Sequence, residues 1–317
     1  MGASRRRSSS LQFAAFVETS LYLQRPVGLD WGTMPTTYLD QTALIGLGRK
    51  ARVLEFRKKL DDVLTSGGLR VVLSLWHLVE TVHTTKLENA IELAQFIESL
   101  RPAWLFERHD VLRMEVAEDF CKYAHIEHEA EPRISTFSAI FAALNRSPDG
   151  PRFDIPPARF VTEWWNHPDQ MQPLEAAYKG NVDALLGIRE MKKQGKMTDD
   201  IRNQARRVLF EHTVPTRTPA GLEVGHAIRE EYITQAKEES IPTVAIEKAI
   251  SEHEWDAQGG ADRNTLIDKF HFIPALPYVD EIISEDHFFG AVYPAAVRTG
   301  YVKARLIGNK EFLGRFA

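Results

Sequence analysis

The run LRVVLSL at residues 69–75 constrains the fold of this chain more than any other feature. It is short, almost wholly apolar and rich in β-branched residues, and it follows Gly67 and Gly68, which end a helical pattern. A strand with apolar residues on both sides is typical of a parallel sheet whose two faces are covered by helices. The run therefore predicts an α/β protein.

Strand and helix patterns alternate around this run. Strand formers at 36–39 precede a predicted helix at 41–64, and a second helix leads from the run to about residue 100, where Pro102 marks its end. The short apolar segment AWLF then leads into a helix at 111–123. Such alternation predicts a three-layer α/β/α fold with a central, mostly parallel sheet.

The pattern changes in the middle of the chain and returns near its end. Residues 125–262 are polar, are broken by SPDGP and DIPP, and contain amphipathic helices such as 198–212 and 225–239. Strands are predicted again at 281–284 and 302–309. We therefore interpret the middle segment as a helical insertion or subdomain within the α/β domain.

Four segments follow from this reading. They are an N-terminal tail and lead-in at 1–34, a first part of the α/β domain at 35–124, the helical insertion at 125–262 and a second part at 263–317. The tail, MGASRRRSSS, is basic and polar, as expected of a flexible segment.

Composition narrows the class of protein. Of 317 residues, 44% are hydrophobic and 26% are charged, with a net charge of −5, so no overall basic field indicates a polyanion partner. Cys121 is the only cysteine, which excludes an internal disulfide and favours a cytoplasmic location. No run approaches the roughly 20 apolar residues of a membrane span, so we expect no membrane partner.

Four carboxylates fall near predicted strand ends. Asp40 follows the first strand, Glu80 lies in the helix after the second, Asp268 lies in the helix before the third, and Asp286 follows that third strand. Carboxyl ends of parallel strands meet at one edge of a sheet, where ligands bind. A few carboxylates can hold Mg²⁺ or Mn²⁺, and two such ions can activate a water in phosphodiester cleavage. Taken alone, Asp40 is better explained as a helix cap.

Three motifs resemble those of the PIN-domain nucleases. YLDQTALIGL is similar to the opening motif of that family, and VVLSLWHLVETV is similar to its second-strand motif with a helix glutamate. DKFHFIPALPYVDEIISEDHF resembles the form found in larger PIN-like proteins, in which an Asp-x-x-His helix leads to a strand that ends in an acid. The resemblance covers about residues 36–115 and 262–317 and leaves the middle of the chain unmatched.

The resemblance implies a fold, an activity and a site. The fold is a PIN-like α/β/α domain with a helical insertion, and the activity is metal-dependent hydrolysis of phosphodiester bonds, in RNA rather than DNA, leaving 5′-phosphate and 3′-hydroxyl ends. Mg²⁺ or Mn²⁺ ions are expected at Asp40, Glu80, Asp268 and Asp286. A protein partner or inhibitor is compatible with the family, and so is a catalytically silent PIN-like module that binds RNA or protein.

The sequence leaves open the roles of several residues near the four acids. Thr42 stands where the family often has Asn, and His271 either orients Asp268 or packs in the core. The adjacent Glu285 is an alternative to Asp286, and Asp280 is an alternative third ligand at the start of the strand. Basic residues near the C-terminus are candidate phosphate contacts or solvated charges; they include Lys303, Arg305 and Lys310.

Two other enzyme classes fit the motifs poorly. His77, Glu80 and His83 lack the spacing of a zinc peptidase, in which the glutamate directly follows the first histidine. Haloacid dehalogenase phosphatases also begin with an aspartate at a strand end, but they need a second aspartate two residues later, where this chain has Thr42.

Overall fold

A computed structural model describes residues 34–83, 86–140, 155–168, 190–191, 194–218, 221–256 and 272–316, with residues 187 and 269. Six strands form one sheet in the order β4-β3-β2-β1-β5-β6. Neighbouring strands are parallel except for the β3–β4 pair, which is antiparallel. The strands are β1 Thr36–Leu39, β2 Arg70–Ser74, β3 Ala103–Leu105, β4 Ile134–Ser135, β5 Glu281–Ile283 and β6 Arg305–Ile307.

Helices connect the strands and cover the sheet. In the first part of the chain they are α1 Gln41–Lys50, α2 Leu54–Thr65, α3 Leu75–Val82, α4 Leu87–Ser99 and α5 Arg108–Tyr123. In the second part they are α6 Pro157–Asn166, α7 Asp199–Thr213, α8 His226–Gln235, α9 Pro242–Asp256, α10 His287–Val297 and α11 Asn309–Gly314. None of these helices combines the length and the apolar character that crossing a bilayer requires.

The two faces of the sheet pack into two different cores. Successive residues of a strand point to opposite faces, and accordingly Leu39 joins a first cluster with residues of α1 to α4, α6 and α11, whereas Tyr38 joins a second with residues of α9 and α10. In β2, Val71 and Leu73 belong to the first cluster and Val72 belongs to the second. The sheet therefore lies between two helical layers, which confirms the predicted α/β architecture with a mostly parallel sheet.

Two long predicted helices are each divided by a short turn. Val53 has an extended backbone (φ −84°, ψ 120°) between α1 and α2, and Lys86 (φ −145°, ψ 134°) begins α4 in the same way. Neither turn contains the glycine or proline that normally marks a break. The first turn leaves Leu54 82% exposed but lets Phe56 and Leu60 reach the core, so tertiary burial overrides the continuous helical pattern.

The middle segment shares its apolar side chains with the rest of the fold. Phe160 and Trp164 of α6 belong to the first cluster, and Ile246 and Ile250 of α9 belong to the second. Helices α7 and α8 pack on α5 in a third cluster, where Tyr232 is 1% exposed. The segment also supplies β4, an edge strand that the sequence analysis did not predict because it is only two residues long.

Candidate functional site

The strand order reverses at β1, with β2 and β3 on one side and β5 and β6 on the other. In open α/β sheets, ligands bind in the crevice outside the carboxyl ends of the strands at such a switch point. The backbone N–H of Asp40 donates to the carbonyl oxygen of Ile283 over 3.0 Å, which ties the turn after β1 to the end of β5. Asp40 therefore lies at the switch point itself.

The Asp40 carboxylate is both a helix cap and part of an acidic group. Its Oδ1 accepts a hydrogen bond from the backbone N–H of Ala43 over 2.5 Å, which caps α1. Burial raises the pKa of Asp40, hydrogen bonds from Ser284 and Ala43 oppose that rise, and the charges of Asp286 and Glu285 raise the pKa further. Capping of α1 alone does not explain why the charges of Asp286 and Glu285 raise the pKa of Asp40.

The acids after β5 complete this group on the other side of the crevice. Asp286 caps α10 by accepting from the Phe288 N–H over 2.6 Å, and its own N–H donates to the Ser284 hydroxyl over 3.0 Å. Glu285 accepts from the backbone N–H of Lys310 over 3.3 Å. Both acids are exposed, and Asp286 has the larger effect on the pKa of Asp40. Asp286 is therefore the stronger candidate of the adjacent pair.

A buried tyrosine brings Glu80 into the same neighbourhood. The Tyr38 hydroxyl lies 3.2 Å from the Ser74 hydroxyl. Burial raises the pKa of Tyr38 well above its usual value, the Ser74 hydrogen bond opposes that rise, and the charges of Glu80, Glu107 and Asp40 add to it. The charges of three carboxylates therefore raise the pKa of one hydroxyl, and these carboxylates follow β1, β2 and β3 in the chain.

Glu107 is a member of this acidic edge that the sequence analysis missed. It follows β3 and stands at the N-cap position of α5. Its pKa is raised to about 8, chiefly by burial and then by the nearby charge of Asp110, against hydrogen bonds from Trp76 and Leu75 that lower it. The signal was present, because a carboxylate directly follows the apolar AWLF segment, but the predicted helix began at Val111, three residues too late.

His77 fastens the end of β1 to α3. The Ser74 N–H donates to His77 Nδ1 over 3.0 Å, so the ring proton is on Nε2, which donates to the Leu39 carbonyl over 2.6 Å. Burial lowers the pKa of His77 to about 4, against the effect of both backbone bonds. The imidazole is therefore neutral at physiological pH, and it holds the strand end that carries Asp40.

The remaining predicted residues are spread over both edges of the sheet. Thr42 is exposed in the first turn of α1. Asp280 lies at the amino end of β5, where it accepts from the Thr36 N–H and hydroxyl, each over 2.8 Å, and pairs with Lys303 over 2.9 Å. Asp268 and His271 lie outside the described residues.

The three basic candidates do not lie at the same edge of the sheet. Arg305 pairs with Glu281 over 2.9 Å and Lys303 pairs with Asp280, so both lie at the amino edge rather than near Asp40. The reason is that β6 covers only residues 305–307, so these side chains stand at its beginning and not along it. Lys310, which follows β6, is the basic residue of the three that lies at the carboxyl edge.

The oxygen donors at the carboxyl edge have the chemistry that Mg²⁺ and Mn²⁺ prefer. Within the part of the chain that the structure describes, no group of three or more acidic, histidine or cysteine side chains is arranged to hold a metal ion. Asp40 and Asp286 each use an oxygen as a helix cap. The donor type thus fits a divalent ion, whereas a complete set of ligands requires rearranged caps or residues outside the described ranges.

A comparison of the chain with protein-family models gave no match, and neither curated proteins nor solved structures gave one.

Proposed function

We propose that this protein is a PIN-like, metal-dependent nuclease whose reaction takes place at the carboxyl edge beside Asp40. One observation carries the proposal: a largely buried carboxylate lies at the switch point of a parallel sheet, with its pKa raised by burial and by Asp286 and Glu285 across the crevice. Acids that repel one another are a cost to folding unless a cation joins them. The resemblance of the three motifs to PIN-domain nucleases supplies the reaction class.

The roles follow from position. Asp40, Glu80 and Asp286, with Asp268, are the residues proposed to hold Mg²⁺ or Mn²⁺, and the bound ion supplies Lewis-acid activation of water and neutralises charge on the phosphate. Ser284 donates to Asp40 and sets the direction of its carboxylate. His77 fixes the strand end beneath Asp40 through the Leu39 carbonyl.

RNA is the proposed substrate in preference to DNA, and this preference rests on the family resemblance alone. Lys310 lies in the first turn of α11, where its backbone N–H donates to Glu285, and it is the phosphate contact proposed for this edge. Action in the cytoplasm agrees with a chain that has one cysteine, which is buried and free.

A second candidate is a PIN-like module without catalytic activity that binds RNA or protein. Two observations favour it: Asp40 and Asp286 are engaged as helix caps, and the described residues alone do not assemble a metal site. In this case the acids of the edge serve the N-termini of α1 and α10.

The Asp40→Asn variant separates the two candidates. The substitution keeps the shape of the side chain and removes its charge, so a nuclease should lose Mn²⁺-dependent cleavage of single-stranded RNA by about 100-fold or more. Asp62→Asn, which changes an exposed acid on α2, should cleave like the unchanged protein. Cleavage that is absent from the unchanged protein, or that persists in Asp40→Asn after nuclease-free purification, rejects the enzyme and favours the silent module.

A further inference from the structure

A cavity of about 370 Å³ lies where residues at the amino ends of three strands meet Pro132, Arg133 and Ile134, and none of the acids grouped around Asp40 lines it. Thr36 and Arg70 begin β1 and β2, and Asp280 directly precedes β5. The cavity is lined by Met34, Thr36, Arg70, Pro132, Arg133, Ile134, Tyr278, Asp280 and Lys303. Its size falls within the range of small-molecule sites, roughly 300–1,000 Å³.

Its lining carries more positive than negative charge. Arg70, Arg133 and Lys303 are three cations, and Asp280 is the only carboxylate among the lining residues, all of which the structure describes. Lys303 pairs with Asp280 over 2.9 Å. Arg133 pairs over 2.7 Å with Glu118, which stands on α5 behind the lining. The excess positive charge contrasts with the net charge of −5 of the whole chain.

The Arg133 guanidinium is held in place by the fold. The Arg133 side chain is 5% exposed, and its guanidinium lies over the Tyr278 ring, 5.5 Å from the centroid. Burial lowers the pKa of Arg70, so an anion beside this guanidinium would recover part of the solvation that it loses. The planar, forked guanidinium matches the oxygens of a phosphate group. Met34, Ile134 and Tyr278 offer apolar surface to the rest of a ligand.

We propose that this amino-edge cavity binds a small phosphate ester, with Arg70 and Lys303 contacting the phosphate and the apolar wall contacting the organic group. The site is separate from the Asp40 edge and does not depend on the proposed nuclease activity. A phosphate group fits better than a cationic or neutral ligand because three cations and one carboxylate line the cavity, so an anion offsets their excess positive charge.

Thermal unfolding of the full chain tests the site. Inorganic phosphate and adenosine monophosphate are titrated separately, in EDTA to remove divalent ions, with sodium chloride at matched ionic strength and adenosine as the uncharged control. We expect a saturable rise in Tm of about 5 °C at a hundred times Kd, with tighter binding of the ester than of phosphate. No rise beyond that in chloride, or an equal rise with adenosine, overturns the proposal.

Variants then locate the bound anion. Arg70→Gln and Lys303→Gln should each raise the apparent Kd for phosphate about tenfold, whereas Arg52→Gln, at a side chain 68% exposed, should not change it. Lys303 is itself 57% exposed, so its variant decides the matter if Arg70→Gln does not fold. Asp40→Asn should respond to phosphate like the unchanged protein, even if the nuclease proposal is wrong. Loss of the response in Asp40→Asn but not in Lys303→Gln would place the anion at the other edge and overturn the proposal.

Discussion

The pKa values of acidic side chains shift in opposite directions at the amino and carboxyl edges of the same sheet. At the amino edge, hydrogen bonds from Arg315 lower the pKa of Glu281, assisted by Arg305. At the carboxyl edge, burial and neighbouring acids raise the pKa of Asp40 and Glu107. The acid of the first kind is matched by arginines, whereas the main influences on the pKa of the second kind among the described residues include hydrogen-bond donors but no cation.

Helix capping accounts for only part of this difference. Asp40, Glu107 and Asp286 stand at the N-cap positions of α1, α5 and α10, where the helix dipole favours a negative charge. One acid is enough to cap one helix, however, and capping does not require that the charge of Asp286 raise the pKa of Asp40. The convergence of the caps is the feature that distinguishes the carboxyl edge.

Glu107 should show the largest pH effect at the carboxyl edge. Its pKa is about 8 in the folded chain and near 4.3 in an unfolded one, so the unfolded chain loses its proton first as pH rises. The stability that protonated Glu107 contributes is therefore complete below pH 4 and is lost between about pH 4 and 8. The loss is roughly 5 kcal/mol.

Unfolding of Glu107→Gln as a function of pH tests this effect. The amide keeps the shape and removes the titration, so the variant should be more stable than the unchanged protein at pH 8, with a flatter pH dependence. Glu88→Gln, at an exposed position of α4, serves as the control and should keep the original slope. An unaltered slope in Glu107→Gln would show that this carboxyl is ionised in the folded chain.

His77 should give an effect of opposite sign. Its pKa is lowered to about 4 from about 6.5 in an unfolded chain, so the unfolded chain binds the proton first as pH falls. The contribution of neutral His77 is complete above pH 6.5 and is lost as pH falls to 4, by roughly 3 kcal/mol. His77→Gln should remove this part of the acid-side slope, and His83→Gln, at an exposed position, should retain it. Equal slopes in both variants would mean that His77 titrates normally.

The sequence predicts the architecture well because the strand signals are local. The apolar run at 69–75 and the alternation around Asp40 identify β1, β2 and the strand-to-helix turn, and the structure contains each of them. The edge of the sheet on which a side chain lies depends less on the local sequence. Lys303 precedes β6 and Arg305 begins it, so both side chains lie at the amino edge, and the sequence has no local signal for the edge that a basic residue beside a three-residue strand occupies.

Features set by long-range packing were missed. Glu107 becomes an unusual carboxyl only because the end of β3 is covered by α3 and α5, as its hydrogen bonds with Trp76 and Leu75 and the effect of Asp110 indicate. The turns at Val53 and Lys86 have no local signal and follow from the need to bury the next helix. Burial is a property of the assembled fold, so such residues are found from the structure and not from spacing.

A divalent ion should stabilise the carboxyl edge. If Mn²⁺ binds only the folded chain, it adds about 2.7 kcal/mol at a hundred times its Kd, seen as a rise in Tm. Asp40→Asn should lose most of this rise, and because it relieves acid repulsion it should melt at or above the unchanged protein in EDTA. Asp62→Asn should keep the full rise. An equal rise in Asp40→Asn and the unchanged protein would place the ion elsewhere and leave Asp40 as a helix cap.

The smallest expected effect is a difference in stability between two Glu→Gln variants, one at each edge of the sheet. Glu281 is 14% exposed and accepts hydrogen bonds from Arg305 over 2.9 Å and from Arg315 over 2.7 and 3.0 Å. Glu281→Gln replaces one acceptor with an NH₂ group that faces a guanidinium, so the chain should lose about 2 kcal/mol. Glu285→Gln removes an exposed acid whose charge opposes ionisation of Asp40, so its stability should be unchanged or slightly higher. Denaturant unfolding of both variants at pH 7 in EDTA measures the contrast. Equal losses would mean that the two edges do not differ in how they compensate their acids, whereas a loss confined to Glu281→Gln would show that Glu281 stabilises the fold and that Glu285 does not.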